Sequence, residues 1–304
     1  MSGFHPKKTY RLLSERIRTA VPFYLIPDKC YLSWKYKQIF GRPIDWKNPQ
    51  TFSEKLNWLK IYDRKPIYHL LVDKFRAKQI VADIIGEEYI IPTIAGPFQN
   101  VSEIDKDKLP ERFVIKCNHD AASLMICEDK SKFDWKFADY KLTNCMNIDF
   151  YKSDCRQWTY KGIERCIFVE QFIEDDKFDC LADYKFYCFN GEAKAIYVTI
   201  NRFTKMSVSM YDMDWNLMPF EHIHPNRGDK VPKPKNLQLM KELAEKVAKF
   251  VDNPYVRVDF YETNGRVYFG EITFYPESGM CYFKPEEWDY TMGSWMDISA
   301  LQKK

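Results

Sequence analysis

The feature that most constrains the fold is a predicted strand pair near the C-terminus that carries charges among apolar residues. The chain reads VRVDFYETNGRVYFGEITF from Val256 to Phe274. β-Branched and aromatic residues dominate both sides of the Asn-Gly dipeptide, which predicts a β-hairpin. An arginine, an aspartate and a glutamate interrupt these otherwise core-like strands, and their positions call for an explanation.

The length of the hairpin loop decides which of these charges share a face. A two-residue loop, Asn264-Gly265, points Glu271 away from Asp259, because successive side chains alternate between the faces of a strand. A three-residue loop, 263–265, ends in a glycine, forms a bulge and pairs Arg257 with Glu271. We favour the three-residue loop because only it gathers the charges. It leaves the opposite face to Val256, Val258 and Phe260, and its charged face carries Arg257, Asp259, Glu271 and Thr273.

Two carboxylates on one face of a sheet repel each other unless a cation lies between them. Oxygen ligands of this kind suit Mg²⁺, which retains water and commonly binds substrate phosphates as well. An arginine on the same face is suited to bind those phosphates. The alternative is an ordinary hairpin with a solvated charged face, in which Arg257 pairs with Asp259 or Glu271.

Composition excludes several classes of protein. The formal net charge is only +3, which argues against a nucleic-acid partner. The nine cysteines form no C-x-x-C pair and predict reduced thiols in a cytoplasmic protein. No apolar run reaches the roughly 18 residues that a membrane span needs. The basic amphipathic segment at residues 7–27 predicts a docked first helix, or alternatively peripheral contact with the inner face of a membrane.

The order of the predicted elements indicates an α+β fold. Capping by Thr51 or Ser53, with Glu54 following, predicts a helix. Apolar periodicity predicts one helix over residues 69–86 and another over residues 236–251. Strand patterns cover residues 87–96, 112–130, 166–176 and 183–200, the last with a hairpin turn at Asn190-Gly191.

Six strings in this order resemble the ATP-grasp enzymes, whose relatives include D-alanine–D-alanine ligase and glutathione synthetase. They are NPQTFSEKLNWLK, DKFRAK, FVIKCNHD, FVEQFI, DYKFYCFNGE and the hairpin VRVDFY…VYFGEITFYPESG. Within that fold the chain resembles the teichuronopeptide-biosynthesis, or TupA-like, branch from Tyr31 to Trp295. The resemblance implies two α+β subdomains that grip a nucleotide, with a helical N-terminal extension. It divides the chain into four parts: the N-terminal helical extension at residues 1–65 and a segment before the ATP-grasp fold at residues 66–111. The small β-loop-β subdomain with the adenine hinge follows at residues 112–176, and the large subdomain with the metal-binding hairpin at residues 177–304.

The resemblance also implies a set of ATP-binding residues. It assigns Lys74 to the nucleotide phosphates, with Lys78 as the second choice, and it assigns Lys116 to the strand that follows. The loop after Lys116 is expected at the phosphates, although alanines stand where relatives usually carry glycine. The acid that faces the ribose is Glu174, Asp175 or Asp176, with Asp176 preferred. The remaining candidates are His119 and Ser123 in the loop and Glu170, Gln171 and Ile173 at the adenine hinge.

The catalytic centre implied by the resemblance coincides with the charged hairpin. Asp259, Glu271 and Thr273 are expected to hold Mg²⁺, although many relatives have asparagine in place of this threonine. Arg257 is expected to face the transferred phosphoryl group. Lys185, from the string DYKF, is expected to reach the triphosphate.

The implied reaction is ATP-dependent ligation of a carboxylate and an amine through an acylphosphate. The branch is associated with cell-surface polysaccharides, so the expected partners are a sugar acid, such as a uronic acid or its polysaccharide, and an amine or amino acid. One rival is a glycosyltransferase that holds its metal at an Asp-x-Asp motif, a form present at Asp212–Trp215. The other rival is a relative that binds nucleotide or glycan without catalysis.

Overall fold

The computed structural model describes residues 25–120, 123–174, 181–201, 206–222 and 231–303. The helices are α1 Asp28–Phe40, α2 Phe52–Tyr62, α3 Ile67–Val72, α4 Ala77–Ile85, α5 Trp135–Met146, α6 Phe150–Ser153, α7 Leu237–Val251, α8 Glu287–Trp295 and α9 Ser299–Gln302. The strands are β1 Thr93–Phe98, β2 Phe113–Cys117, β3 Met125–Cys127, β4 Ile167–Gln171, β5 Asp183–Phe189, β6 Glu192–Ile200, β7 Ser207–Tyr211, β8 Glu221–His222, β9 Tyr255–Thr263, β10 Arg266–Thr273 and β11 Phe283–Lys284. The predicted α+β class is confirmed.

The larger sheet has the strand order β10-β9-β5-β6-β7 and is antiparallel throughout. The predicted hairpin at Asn190-Gly191 joins β5 to β6. Helix α7 packs on one face of this sheet, and Val256, Val258 and Phe260 are buried in the core on that side, as predicted. The opposite face is therefore the one that carries the charged residues of β5, β9 and β10.

The smaller sheet has the order β1-β4-β2-β3 and builds its own core with α5. Strand β2 alternates buried and half-buried residues, so Phe113 and Ile115 face the core. Its next residue, Lys116, lies on the other face, because side chains alternate along a strand. The two sheets thus each present one polar face, and the lysine-bearing strand β2 is at the middle of the smaller one.

The N-terminal part of the described chain is helical, as predicted. Thr51 caps α2: its side chain accepts a hydrogen bond from the Glu54 backbone N–H, while Glu54 bonds back to the Thr51 backbone N–H. The buried carboxylate of Asp289 in α8 accepts the Ser53 backbone N–H at 2.8 Å. Helix α2 is thereby fixed against helix α8. The basic segment assigned to helix docking or membrane contact lies, up to residue 24, outside the described residues.

The single helix predicted over residues 69–86 is wrong, because two helices, α3 and α4, occupy this segment. Asp73 ends the first helix and begins the second: its Oδ1 accepts the backbone N–H groups of Phe75 at 2.9 Å and Arg76 at 3.0 Å. Aspartate favours such local side-chain bonds over a continuous helix. Within the described ranges, none of the helices has the length and apolar character required to span a bilayer.

Candidate functional site

The hairpin that carries the candidate metal ligands turns differently from the prediction. Arg266 pairs with Thr263, so the loop is the two-residue Asn264-Gly265, and the predicted three-residue loop is wrong. Both loop residues have positive φ, 51° for Asn264 and 75° for Gly265. Such a turn matches the right-handed twist of the strands and is the favoured short hairpin connection.

A bulge at Gly270 restores the predicted common face. Phe269 pairs with Phe260, but the next pair is Glu271 with Asp259, so one residue of β10 is extra. A Cβ at Gly270 would lie 3.2 Å from the Asp259 carbonyl oxygen and 3.1 Å from the Tyr261 ring. Glycine therefore suits the bulge, and Arg257, Asp259, Glu271 and Thr273 share one face as predicted.

This face carries a network of direct ion pairs. Arg257 donates to Asp259 from Nε and from Nη2, both at 2.7 Å, and its Nη2 also donates to Glu271 at 2.9 Å. Lys185 in the neighbouring β5 donates to Asp259 at 2.9 Å and to Asp183. Lys74, from the break between α3 and α4, lies 3.6 Å from Glu271. The network therefore combines three cations with three carboxylates.

The two hairpin acids differ in their access to the cleft. The side chain of Asp259 is 1% exposed, and that of Glu271 is 32% exposed. Burial raises the pKa of Asp259, and Arg257 and Lys185 oppose this shift. Both Asp259 oxygens accept hydrogen bonds from cations, and these contacts favour the ionised form. Burial also acts against ionisation of Glu271, but Lys74, Arg257 and Lys185 outweigh it and lower that pKa to about 2.

The donor set at this face fits Mg²⁺ bound together with phosphate. Both acids offer hard oxygen ligands, and the Thr273 hydroxyl lies beside them, donating to Glu271 at 3.3 Å. Within the described ranges no group of three or more His, Cys, Asp or Glu residues forms a complete metal site. A metal at the hairpin must therefore take its other ligands from water or phosphate, as Mg²⁺ usually does. Coordination by Asp259 requires it to release a contact to Arg257 or Lys185.

A second charged cluster lies on the smaller sheet. The buried carboxylate of Glu170 contacts Lys116 and Lys78, each at 2.5 Å. Both ammonium groups also lie over the Phe168 ring, at 5.4 and 5.5 Å from its centroid. Burial opposes ionisation of Glu170, but the two lysines outweigh it and lower its pKa. This acid therefore holds two cations side by side, an arrangement suited to a polyphosphate.

Comparison with protein families decides the identity of the fold. The model of the family described as TupA-like ATPgrasp matches residues 54–297. The chain belongs to the TupA-like ATP-grasp family. The resemblance inferred from the sequence strings is thereby confirmed, and the two α+β subdomains are those of an ATP-grasp fold. A comparison with curated proteins found no match.

Solved structures with similarity to the chain are distant. D-alanine–D-alanine ligase from Bacillus anthracis with ATP is 15% identical, with 77% of this chain and 66% of that chain covered and a TM-score of 0.42. D-Alanine–D-alanine ligase from Helicobacter pylori is 13% identical, with 83% and 68% covered and a TM-score of 0.42. The ATP-grasp ligase PsnB, with a phosphomimetic variant of its minimal precursor, Mg and ADP, is 11% identical, with 83% and 67% covered and a TM-score of 0.41. The chain spans only 66% of the Bacillus enzyme and 46% of a biotin carboxylase domain. The activities of these proteins are therefore not assigned to this chain.

Three of the four candidate phosphate lysines of this ATP-grasp chain, those other than Lys185, fall into two groups. Lys116 and the second-choice residue Lys78 meet at Glu170, on the smaller sheet. Lys74 instead reaches Glu271 on the larger sheet and donates to the carbonyl of Asp120 in the loop after β2. Lys74, the first choice for the nucleotide phosphates, thus connects the loop after β2 with β10, the strand that carries Glu271 and Thr273.

The loop candidates His119 and Ser123 are buried and bonded within the smaller subdomain. The ring nitrogens of His119 lie 3.3 Å from Asn118 Oδ1 and 3.2 Å from the Cys145 carbonyl oxygen, and burial lowers its pKa. Ser123 Oγ accepts the Cys117 backbone N–H at 2.8 Å and donates to Asp120 at 2.5 Å. These hydrogen bonds brace the loop. Residues 121 and 122 lie outside the described ranges.

At the hinge, the backbone N–H of Gln171 donates to the Pro92 carbonyl oxygen at 3.0 Å. Ile173 is half-buried. Glu174, one of the three ribose candidates, pairs with Arg112 at 2.9 Å, and its carbonyl accepts the Thr263 hydroxyl at 2.6 Å. The other two candidates, Asp175 and the preferred Asp176, lie outside the described residues.

The motif that suggested a glycosyltransferase forms a turn. Asp212 accepts the backbone N–H groups of Asp214 at 2.9 Å and Asn216 at 2.8 Å, and also the Asn216 side-chain amide at 3.0 Å. Its carboxylate is therefore used locally, as in an Asx turn. The Asp-x-Asp string thus lies in a turn, the structure that Pro219 and the polar residues around it favour over a metal motif.

Sequence reasoning missed two residues at the charged face. Asp183, two residues before Lys185 on the same strand, pairs with it, and the Asp-x-Lys alternation was the available signal. Tyr160 lies in the segment before β4, and its phenol is within electrostatic range of Glu271, Asp154, Arg257 and Asp120. No local pattern marks Tyr160, because its approach to β10 depends on tertiary packing.

Proposed function

We propose that the chain is an ADP-forming carboxylate–amine ligase that joins an amine or amino acid to a sugar acid, such as a uronic acid, in cell-surface polysaccharide biosynthesis. One observation carries the proposal: two clusters of cations and carboxylates occur together, one at Arg257, Asp259 and Glu271 and one around Glu170. Paired acids beside several cations suit a metal-bound triphosphate. Family membership supports ATP as the nucleotide.

The proposed chemistry has two steps. A carboxylate oxygen of the sugar acid attacks the γ-phosphorus of ATP, the bond from that phosphorus to the bridging oxygen breaks, and ADP leaves with an acylphosphate remaining. The amine nitrogen then attacks the acyl carbon, the carbon–oxygen bond to phosphate breaks, and the nitrogen loses a proton to give the amide. No side-chain nucleophile is needed, so catalysis consists of positioning and charge stabilisation.

Each charged residue has a role in this scheme. Lys116 in β2 and Lys78 in α4 bind the phosphates beside Glu170, and Lys185 binds them from the larger sheet. Arg257 stabilises the charge on the transferred phosphoryl group. Glu271 and Asp259, with Thr273 beside them, hold Mg²⁺, which offsets the negative charge of the triphosphate when bound.

The test is ADP release from ATP in a matrix of uronic acids and amino acids, each supplied alone and in pairs. The proposal requires release that depends on both substrates. Lys185→Ala should abolish it. Lys194→Ala is the matched control, because Lys194 also follows an acid by two residues on the neighbouring strand but is 43% exposed. Binding of a UDP-sugar without ATP binding, measured by calorimetry, contradicts the proposal and favours the glycosyltransferase.

A further inference from the structure

A buried lysine outside the charged face connects three parts of the chain. Lys60, in helix α2, is fully buried. Its ammonium group donates to Asn57 Oδ1 at 3.1 Å, to the Cys155 carbonyl at 3.0 Å and to the Ser278 carbonyl at 2.6 Å. All three acceptors are neutral oxygens. Burial lowers the pKa of Lys60 to about 8, so its charge is retained at neutral pH at an energetic cost.

The two loops that Lys60 contacts both have a left-handed backbone. φ is 48° and 55° at Cys155 and Arg156, and it is 46° and 55° at Glu277 and Ser278. Residues other than glycine rarely adopt this conformation, and such strain persists only where the surroundings impose it. Runs of this kind concentrate at ligand-binding sites, so their position relative to the charged face is informative.

Further contacts fasten the same two loops together. Asp154 accepts the Ser278 hydroxyl and the Gln157 side-chain amide, the latter at 2.7 Å. Gly279, with φ of 66°, gives Lys60 its space, because a Cβ there would lie 3.2 Å from Lys60 Cε and 3.3 Å from Nζ. We call this arrangement, in which Lys60 and Asp154 join residues 154–156 to residues 276–279, the clasp.

The clasp borders the charged face. Residues 276–279 begin just after β10, the strand that carries Glu271 and Thr273. Glu277 is among the charged groups that face Tyr187, whose Cα partner on β9 is Arg257. On the other side of the clasp, the Tyr160 phenol, four residues after Arg156, lies within electrostatic range of Glu271 and Arg257 as well as Asp154. Both halves of the clasp therefore lie beside the residues assigned to the transferred phosphoryl group.

We propose that Lys60 is a positioning residue whose clasp fixes the wall of the cleft that receives the amine substrate, an inference that rests on the ligase function proposed above. Lys78 in α4 and Lys116 in β2 meet at Glu170 of the smaller sheet, so we place the second substrate on the clasp side, beyond the end of β10. This wall carries the carboxylates of Asp154 and Glu277, of which Glu277 is exposed. Such a wall attracts a protonated amine.

The variant Lys60→Met tests the clasp because it keeps an unbranched side chain and removes the donor. Lys55→Met is the matched control. Lys55 lies on the same helix and also donates to two backbone carbonyls, those of Gly293 at 2.8 Å and Met296 at 2.7 Å, but it fastens α8 instead. Ser278→Ala is a milder second variant that removes the hydroxyl contacts to Asp154 and to the Gln157 side-chain amide but keeps the backbone carbonyl that Lys60 contacts. Each is compared with the wild type by amide hydrogen exchange, Mg-ATP calorimetry and kinetics.

The kinetics use the uronic acid and amino acid that give the fastest ADP release, with hydroxylamine as a small surrogate amine. We expect Lys60→Met to raise the KM for the amino acid by about 10–100-fold, since small displacements of binding groups have effects of this size. Ser278→Ala should act in the same direction. Mg-ATP affinity and hydroxamate formation with hydroxylamine should stay within about twofold of wild type, while amides of residues 154–160 and 276–281 exchange faster.

Two results overturn the inference while leaving the ligase function intact: an unchanged amino-acid KM in Lys60→Met, or an equal rise in Lys55→Met. A wild-type protein that binds Mg-ATP but shows no amine-dependent ADP release overturns the ligase function, and the amine-binding wall with it. Faster exchange of the two loops in Lys60→Met would then remain as a structural effect of Lys60 alone.

Discussion

Replacing Asp259 with asparagine removes the most buried charge of the hairpin network. The side chain is 1% exposed and accepts two hydrogen bonds from Arg257 and one from Lys185. Asparagine keeps the shape but loses the charge, and its amide group faces donors. Removing one partner of a buried ion pair costs about 3–5 kcal/mol, because the other charge stays buried without compensation.

The expected cost of Asp259→Asn lies at the lower end of that range. Arg257 keeps Glu271 at 2.9 Å, and Lys185 keeps Asp183. A loss of about 3 kcal/mol lowers the melting temperature by roughly 6–12 °C, using the per-kcal shift of domains of 150–250 residues. Turnover should fall by at least about 10²–10³-fold, the usual effect of losing one preorganised electrostatic contact.

The assay is scanning calorimetry of the apo protein together with ADP release. Asp63→Asn is the control: Asp63 is also buried, but its partners, Tyr68 Oη and Asn253 Nδ2, both at 2.7 Å, are neutral. Both partners donate to the same oxygen, Oδ2, which the asparagine oxygen can replace, so this control should lose less stability than Asp259→Asn and should keep its activity. Equal losses of stability in the two variants, or normal turnover in Asp259→Asn, refute the role assigned to the hairpin network.

Three further predictions follow from the site. Lys116→Ala should weaken Mg-ATP binding by about 1.5–3 kcal/mol in calorimetry, and an unchanged affinity contradicts its phosphate role. Gly270→Ala should weaken Mg-ATP binding, because its Cβ meets the Asp259 carbonyl at 3.2 Å, whereas Gly265→Ala should lower only the melting temperature. The folded pKa of Glu271, about 2, lies below the usual value, so its stabilisation is present above about pH 4.3 and is lost as pH falls towards 2. Acid titrations should therefore show a smaller loss of stability in Glu271→Gln than in wild type, and equal losses contradict this.

The hairpin shows what sequence alone could and could not establish. The common face of the two acids was predictable, because it follows from alternation once one extra residue is placed in the hairpin. The position of that extra residue was not. A three-residue loop and a bulge at Gly270 give the same face, and the structure has the bulge. An isolated glycine inside a strand pattern was the available signal for it.

The ion-pair partners of Lys74 and Lys78 could not be predicted, because they depend on where a helix breaks. On the single helix expected over residues 69–86, Lys74 and Lys78 are four residues apart and share a face. The break at Asp73 instead sends Lys74 to Glu271 and Lys78 to Glu170. The burial of Lys60 could not be predicted either, because a lysine at the end of an amphipathic helix usually faces solvent. Loops distant in sequence bury it.

The measurement that tests the central claim most directly is a calorimetric titration of ATP into wild type and Glu271→Gln, with Mg²⁺ and with EDTA. Glu271 is the hairpin acid open to the cleft, with 32% of its side chain exposed. If the hairpin holds the metal of a metal–triphosphate complex, wild type binds ATP much more tightly with Mg²⁺ than with EDTA, and Glu271→Gln loses most of that difference. Equal affinity of wild type in the two buffers, or an unchanged Mg²⁺ dependence in Glu271→Gln, would contradict the account.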